Sequence, residues 1–378
     1  MTLALATSDH LAATRPAPSA MLAGVRDIVR TQLSPLVKII DADGVYPEEV
    51  LRNLGEAGAY EPHLPAYRGA AAPDLVASID AMSVASELCL STGFCMWCQD
   101  ALGWYVYTSG NTALRDRIGS DIATGRQLGG TGLSNPMKTF FGIERLKLKG
   151  KRVAGGYRVT GLLPWVSNLG ADHMFGGIFE LEDDPARRVM AVIDCAGEGV
   201  GIRQSDHFVA LEGTRTYSVM LREAFIPDEM VLADPIDTFI PRIRAGFILL
   251  QAGMAFGMIQ SCIDLMKQER ASLGHVNKYI EVQPEEIEDQ LAGLKASVAA
   301  LSATPFETDP AYFRGVVEAR LAAGEATVKA AHYAMLHQGA RGYVTSGAAQ
   351  RRLREAYFVA IVTPATKQLR KMLAEMTH

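Results

Sequence analysis

Apolar residues recur at helical spacing through the first third of the chain. Val50, Leu51, Leu54 and Ala57 share a face after Pro47-Glu48-Glu49, which reads as a helix start with acids in its first turn. Pro73 opens a longer, alanine-rich helix through Leu75, Val76, Ile79, Met82, Val84 and Leu88, and Pro65 and Gly69 mark the loop before it. From about Gln127 to Asp234 the pattern becomes one of short strands. Arg145 to Lys149 alternates charged and apolar residues, Gly155-Gly156 is a turn before Tyr157 to Thr160, and Met190 to Asp194 is a further apolar run. Such turn-rich spacing predicts a β-barrel or sandwich rather than βαβ units. After Pro235 the helical period returns, with four long helices expected over about 239–270, 284–303, 308–337 and 347–378. The expected fold is α+β and multidomain: a helical domain over 1–126, a small β-domain over 127–235 and an antiparallel four-helix bundle over 236–378.

Composition narrows the function classes. The chain has 378 residues, 48% hydrophobic and 21% charged, which excludes a disordered or fibrous protein. A formal net charge of −5 argues against a nucleic-acid partner. Five cysteines are too few and too odd for a disulfide scaffold and suit a reducing compartment. Met1 to Ala20 lacks the positive and apolar regions of a secretory signal, and the apolar run from Phe247 to Ile259 is too short to span a bilayer. The expectation is a cytoplasmic protein with no membrane partner.

Candidate chemistry is sparse. Cys95-Met96-Trp97-Cys98 offers a dithiol or half a zinc site, but no second pair follows and the segment is apolar, so ordinary burial is expected and no metal site is assigned. His207, after Asp206, and His337 are lone histidines that read first as structural. The basic run Arg351-Arg352-Leu353-Arg354, with Lys367, Arg370 and Lys371, reads as a solvated helix face. Trp165 and Ser167 lie two apart on an expected strand and so share a face; by residue type alone they are core and turn.

Helices, then a β-domain, then a bundle is an uncommon order, and it resembles the acyl-CoA dehydrogenase superfamily of flavoproteins. Pro47 to Leu51 with Gly58 and Pro65 to Gly69 resembles that family's N-terminal segment, and Gly132-Leu133-Ser134-Asn135-Pro136 looks like its flavin-facing loop. Gly156 to Gly161 followed by Trp165-Val166-Ser167-Asn168 resembles the strand that walls the flavin, and Arg215 to Pro227 with Met230-Val231 the strand that closes the domain. Glu269-Arg270, Leu273-Gly274, Gly339 to Tyr343 and Arg354-Glu355-Ala356 resemble motifs of the bundle. The resemblance implies FAD, or reduced FMN as the alternative, with Trp165 beside the isoalloxazine, Ser167 near N5, and Leu133 and Ser134 at the pyrimidine edge. It implies that Arg270, Gly339 and Ala340 reach the cofactor of a neighbouring subunit, hence a homodimer or homotetramer.

Departures from the family pattern bear on the reaction. Counting from Arg354-Glu355-Ala356, the catalytic glutamate position falls at Thr363, and the alternative position on the first bundle helix falls at Phe247. Neither accepts a proton as a carboxylate does. The arginine expected one residue later falls at Ile248, with Arg244 one turn earlier, and the thioester-holding motif is missing from Met137 to Phe141. Thr363-Pro364 reads as an N-cap and first residue of a last helix from Ala365 to Met376. The catalytic base is unassigned, with His337 and Glu355 as stand-ins. The leading expectation is a flavin-dependent oxidoreductase acting on an acyl thioester or another small organic substrate, with an electron-transfer partner. A two-component monooxygenase supplied by a flavin reductase is the alternative, although Gln99-Asp100 stands where that branch often carries histidine. A non-catalytic flavin-binding paralogue is the third.

Overall fold

The computed structural model describes residues 18–67, 70–204 and 207–376. Gly69, Asp206 and nearly all of the Met1–Ala20 stretch, on which the absence of a leader was expected, lie outside the described residues. Helices come first: α1 (Pro18–Ile28), α2 (Val37–Asp43), α3 (Glu48–Glu56), α4 (Leu75–Leu88), α5 (Leu90–Thr108) and α6 (Thr112–Ala123). Asp74 and Asn111 cap α4 and α6 by accepting from the N–H of Ala77 and Leu114. α5 is buried along almost its whole length and runs through the centre of the molecule.

The middle of the chain forms one mixed sheet of eight strands: β1 (Gly129–Thr131), β2 (Leu148–Val153), β3 (Gly156–Val166), β4 (Met174–Leu181), β5 (Arg188–Asp194), β6 (Val200–Gln204), β7 (Tyr217–Pro227) and β8 (Val231–Ala233). The short helix α7 (Ser134–Phe140) separates β1 from β2. Strand order is β6-β7-β3-β2-β4-β5-β8, with β1 added on β4. β1 and β2 run parallel to β4, while the other pairs are antiparallel. The β3–β7 ladder slips register twice, between Val159 and Gly161 and between Leu163 and Val166.

Helices close the chain: α8 (Phe239–Leu249), α9 (Ala252–Gln268), α10 (Arg270–Asn277), α11 (Pro284–Ser302), α12 (Pro310–Gln338), α13 (Ala348–Ile361) and α14 (Thr366–Glu375). The single helix expected over 239–270 is interrupted at Leu250-Gln251, and that expected over 347–378 is interrupted between α13 and α14. α9 is the hub, packed on α4, α11, α12 and α13. It approaches α4 closely because a Cβ on Gly257 would lie 2.3 Å from the Ser83 carbonyl oxygen and one on Gly253 2.8 Å from that of Ile79. By length and composition the Phe239–Gln268 stretch is apolar enough to cross a membrane, yet 89% of its most apolar window is buried in the protein.

The basic run on α13 is not a solvated face. Arg352 is buried and donates to the carbonyls of Ser86 and Glu87 and to Glu355, and Arg351 donates to the Leu88 carbonyl. Arg354 pairs with Asp41 of α2. These arginines satisfy the C-terminal carbonyls of α4, which have no partner within their own helix, and so fasten the last helices onto the first. Lys367, Arg370 and Lys371 are exposed, as expected.

Candidate flavin and substrate site

The start of α7, in the middle of the chain, and the turn between the last two helices meet at one hydroxyl pair. The Ser134 hydroxyl, at the start of α7, lies 3.0 Å from that of Thr363, in the turn between α13 and α14. Both are largely screened from solvent. Leu133 is buried beside them, and its N–H donates to Thr131 Oγ1, which in turn bonds the Tyr105 hydroxyl of α5 at 2.8 Å. Burial holds the Tyr105 phenol well above its usual range, so it stays protonated. The group is a set of neutral hydroxyls without a carboxylate.

Thr363 does not cap the last helix. The cap position is Ala365 and α14 begins at Thr366, whose own hydroxyl donates to the Ala360 carbonyl. The Thr363 side chain turns instead toward the sheet domain, and its carbonyl accepts from Gln251 Nε2 at 2.9 Å. Gln251 Oε1 accepts from Arg320 Nε at 2.6 Å, and Arg320 NH2 donates to the Val359 carbonyl of α13. Burial lowers the Arg320 guanidinium to about 10, which leaves it charged at neutral pH. Gln251 and Arg320 thus hold the Thr363 turn from behind, and sequence reading missed both. The signal was present: Arg320 falls on the apolar stripe of α12 with Val316, Val317, Ala323 and Thr327, where a charge needs a reason.

Trp165 and Ser167 do not share an environment. The register slip before Val166 breaks the alternation, so Trp165 is 51% exposed while Ser167 is buried just past the end of β3. The Ser167 hydroxyl is 2.6 Å from that of Thr216, which is 2.8 Å from that of Thr214. Asn168, with φ of 62°, fixes the chain there through four bonds. It donates to the carbonyls of Gly129 and Thr214, accepts from the Tyr46 hydroxyl on its side chain, and accepts from His173 Nδ1 on its own carbonyl. Gly130 must be glycine, because a Cβ there would lie 2.1 Å from the Ser167 carbonyl oxygen. A large indole left half open, with Leu162 at 42% and Met220 at 37% exposure on adjacent strands, next to buried hydroxyls on a rigid strand end, fits a planar ring system.

The remaining expected residues fall in three places. Arg270 opens α10 and pairs with Glu285, while Gly339, with φ of 56°, and Ala340 form the turn after α12. The Glu269–Arg341 pair at 3.2 Å joins these at one end of the bundle. His337 belongs to that same end and is a structural tie, its Nε2 on the Val282 carbonyl and its own carbonyl accepting from Asn277. Glu355 is buried on α13 with Arg352 at 2.7 Å and accepts from the Leu90 N–H, so it is committed to the helix junction. Neither stand-in for the base reaches the Thr363 turn in these contacts. Phe247 and Ile248 are buried, and Arg244 lies over the Phe313 ring and donates to the Thr308 carbonyl. Met137 to Phe140 is helical, with Lys138 paired to Glu144. All five cysteines are free and buried, and burial pushes the Cys95 and Cys98 thiols far up, which makes them inert core residues. Gln99 is also structural, accepting from Gly129 N–H and donating to the Ile122 and Gln127 carbonyls.

Known proteins match this arrangement over its whole length. Residues 16–126 match the acyl-CoA dehydrogenase N-terminal domain. A probable acyl-CoA dehydrogenase of Bacillus subtilis is 22% identical over 89% of this chain and 91% of its own. The structure of butyryl-CoA dehydrogenase from Megasphaera elsdenii superposes with a TM-score of 0.83 at 14% identity, covering 99% of this chain and 100% of that one. KijD3, solved with FMN and a dTDP-linked amino keto sugar, superposes with a TM-score of 0.80 at 16% identity, covering 96% of this chain and 94% of its own. The order of helices, sheet and helices, the N-terminal domain match and the full-length relatives agree: the chain carries an acyl-CoA dehydrogenase N-terminal domain over residues 16–126 and has the acyl-CoA dehydrogenase fold along its length.

Proposed function

We propose that the chain binds FAD against Trp165, Leu133, Ser134 and Ser167 and oxidises a small organic or acyl substrate without a carboxylate at the usual base position. One observation carries the reading: the Thr363 hydroxyl, at the position the family resemblance assigns to the base, meets Ser134 at 3.0 Å in a cluster of neutral hydroxyls. Bound there, a flavin supplies the hydride and electron chemistry. The residues of this chain supply position. Trp165 offers a face for stacking, Ser167 and Ser134 offer hydroxyls at the edge, and the Gln251–Arg320 pair holds the Thr363 turn in register with the α7 loop. None of these groups removes a proton from carbon at neutral pH, so the substrate's own acidity or a different reaction order must serve. An electron-transfer partner accepts the electrons.

A second reading is supported by the likeness to KijD3, which was solved with FMN: reduced flavin from a reductase, with O2 as co-substrate. That chemistry needs no base at Thr363. Both are tested by reconstituting the protein with FAD and substituting Thr363→Ala. Where a dehydrogenase base contributes ~10²–10⁴-fold, its removal is seen at once. Here turnover, by either route, is expected to stay within about tenfold of the parent. A loss of two orders of magnitude would make the Thr363 hydroxyl catalytic, and a protein that binds neither FAD nor FMN would remove both readings.

A further inference from the structure

Where the helical domain meets the sheet, Glu48, Asp172 and His173 bring three potential metal-ligand atoms within 4.8 Å of one another, and among the described residues no other three carboxylate, imidazole or thiol groups come so close. Glu48 opens α3, and Asp172-His173 leads into β4. His173 is the fixed member. It is fully buried, its backbone N–H donates to the Gly170 carbonyl, and its own carbonyl accepts from the Cys195 N–H. Its Nδ1 faces the Asn168 carbonyl at 2.9 Å and must be the protonated nitrogen, so on a neutral ring Nε2 keeps its lone pair. That lone pair has no hydrogen-bond partner. It faces Asp172 Oδ1 at 3.7 Å, and an ionised carboxylate oxygen only accepts. Glycine at 170 keeps the flank of both atoms clear, since a Cβ there would lie 3.1 Å from Nε2 and 3.3 Å from Oδ1.

We propose that Glu48, Asp172 and His173 bind a divalent transition-metal ion of the zinc type, with water completing its shell, and that the ion ties α3 to the turn before β4. Bonds of ~2.0–2.2 Å put the ligands of a tetrahedral ion about 3.4 Å apart, so the 3.7 Å pair hardly moves and a separation of at most 4.8 Å has at most about 1.4 Å to close. Asp172 can move, being 72% exposed. Imidazole nitrogen selects Zn2+ over Mg2+ or Ca2+, and the bond from Nδ1 to the Asn168 carbonyl is the kind of outer contact that orients a metal-bound ring. Arg52 and Arg215 compete for the carboxylates, at 2.9 and 3.0 Å from Glu48, with Arg52 also 3.4 Å from Asp172. Both are part-exposed and have other partners: Arg52 donates to the carbonyls of Gly125 and Arg126, and Arg215 lies over the Tyr46 ring. A carboxylate oxygen has lone pairs enough to serve a metal and a guanidinium together. The inference is independent of the flavin reading.

The test treats the full chain with a chelator, dialyses it, and titrates it with Zn2+ against a colorimetric zinc indicator. One tight equivalent per folded chain is expected, with a higher melting temperature once it is bound. Asp172→Asn and Glu48→Gln should each weaken that binding at least about tenfold, since even the outer contacts of a zinc site are worth about 10–100-fold. Asp172→Asn alters an exposed side chain, so the metal-free variant should melt within a few degrees of the parent. His173→Gln should remove the site altogether, and if that variant fails to fold the two carboxylate variants still decide. No Zn2+ bound by the folded parent overturns the site. So does Zn2+ bound equally by the parent and both carboxylate variants, which would place the ion at other histidines.

Discussion

His63 and Asp100 show how far a buried pair can depart from ordinary titration. His63 Nε2 meets the Asp100 carbonyl and its Nδ1 the Ser78 hydroxyl, while neither carboxyl oxygen of Asp100 has a hydrogen-bond partner among the described residues. Burial lowers the His63 imidazole to about 3 and pushes the Asp100 carboxyl well above the carboxylate range, so both are neutral in the fold. The signs then oppose. Below about pH 6.5 the unfolded chain protonates His63 while the fold does not, so stability is lost as pH falls toward 3. Above about pH 4 the unfolded chain ionises Asp100 while the fold does not, so stability is lost as pH rises. Asp100→Asn is therefore expected to raise the melting temperature more at pH 8 than at pH 4.5; a gain independent of pH would show that Asp100 is ionised in the fold. Residue identity alone marked Asp100 only as a place where a relative might carry histidine. Its neutrality comes from burial, which no local pattern records.

At the scale of elements, periodicity located the long helices and the strand-rich middle but misjudged where helices break. The 239–270 stretch is largely apolar, yet the helix breaks at Leu250-Gln251, where the Gln251 side chain bonds the Thr363 carbonyl and Arg320. Those partners lie 112 and 69 residues away, beyond any window of local pattern. The parallel pairing of β1 and β2 with β4 and the slip before Val166 were hidden for the same reason. Family motifs singled out Ser134 and Thr363 separately, and the structure brings their hydroxyls to 3.0 Å. The α4–α9 contact gives a direct check on packing. Gly257→Ala would force a methyl into the Ser83 carbonyl and is expected to destabilise by ~1–3 kcal/mol in denaturant unfolding. Gly293→Ala on α11, with open space around it, should instead stabilise by roughly 0.5–1 kcal/mol. Equal effects at the two sites would contradict the close helix approach.

For the whole molecule, the two halves of the expected flavin site sit on different parts of one chain: Trp165 and Ser134 on the sheet side, Arg270 and Gly339 at one end of the bundle. Large apolar side chains are exposed near that end, including Leu336, Tyr343 and Val344. Arg270→Glu is expected to weaken FAD binding by at least about tenfold while leaving the melting temperature of the flavin-free protein within a few degrees, as a phosphate-facing guanidinium would. Unchanged FAD affinity, with sedimentation as a flavin-loaded monomer, would dismiss the shared site. The most direct measurement is anaerobic mixing of the FAD-loaded protein with butyryl-CoA, followed at the flavin absorbance band. On the proposal that Thr363 takes the base position, bleaching should be slower by ~10²–10⁴-fold than in a Thr363→Glu variant that recovers proton abstraction. Rapid bleaching of the parent protein would contradict the account, placing an efficient base in the site after all.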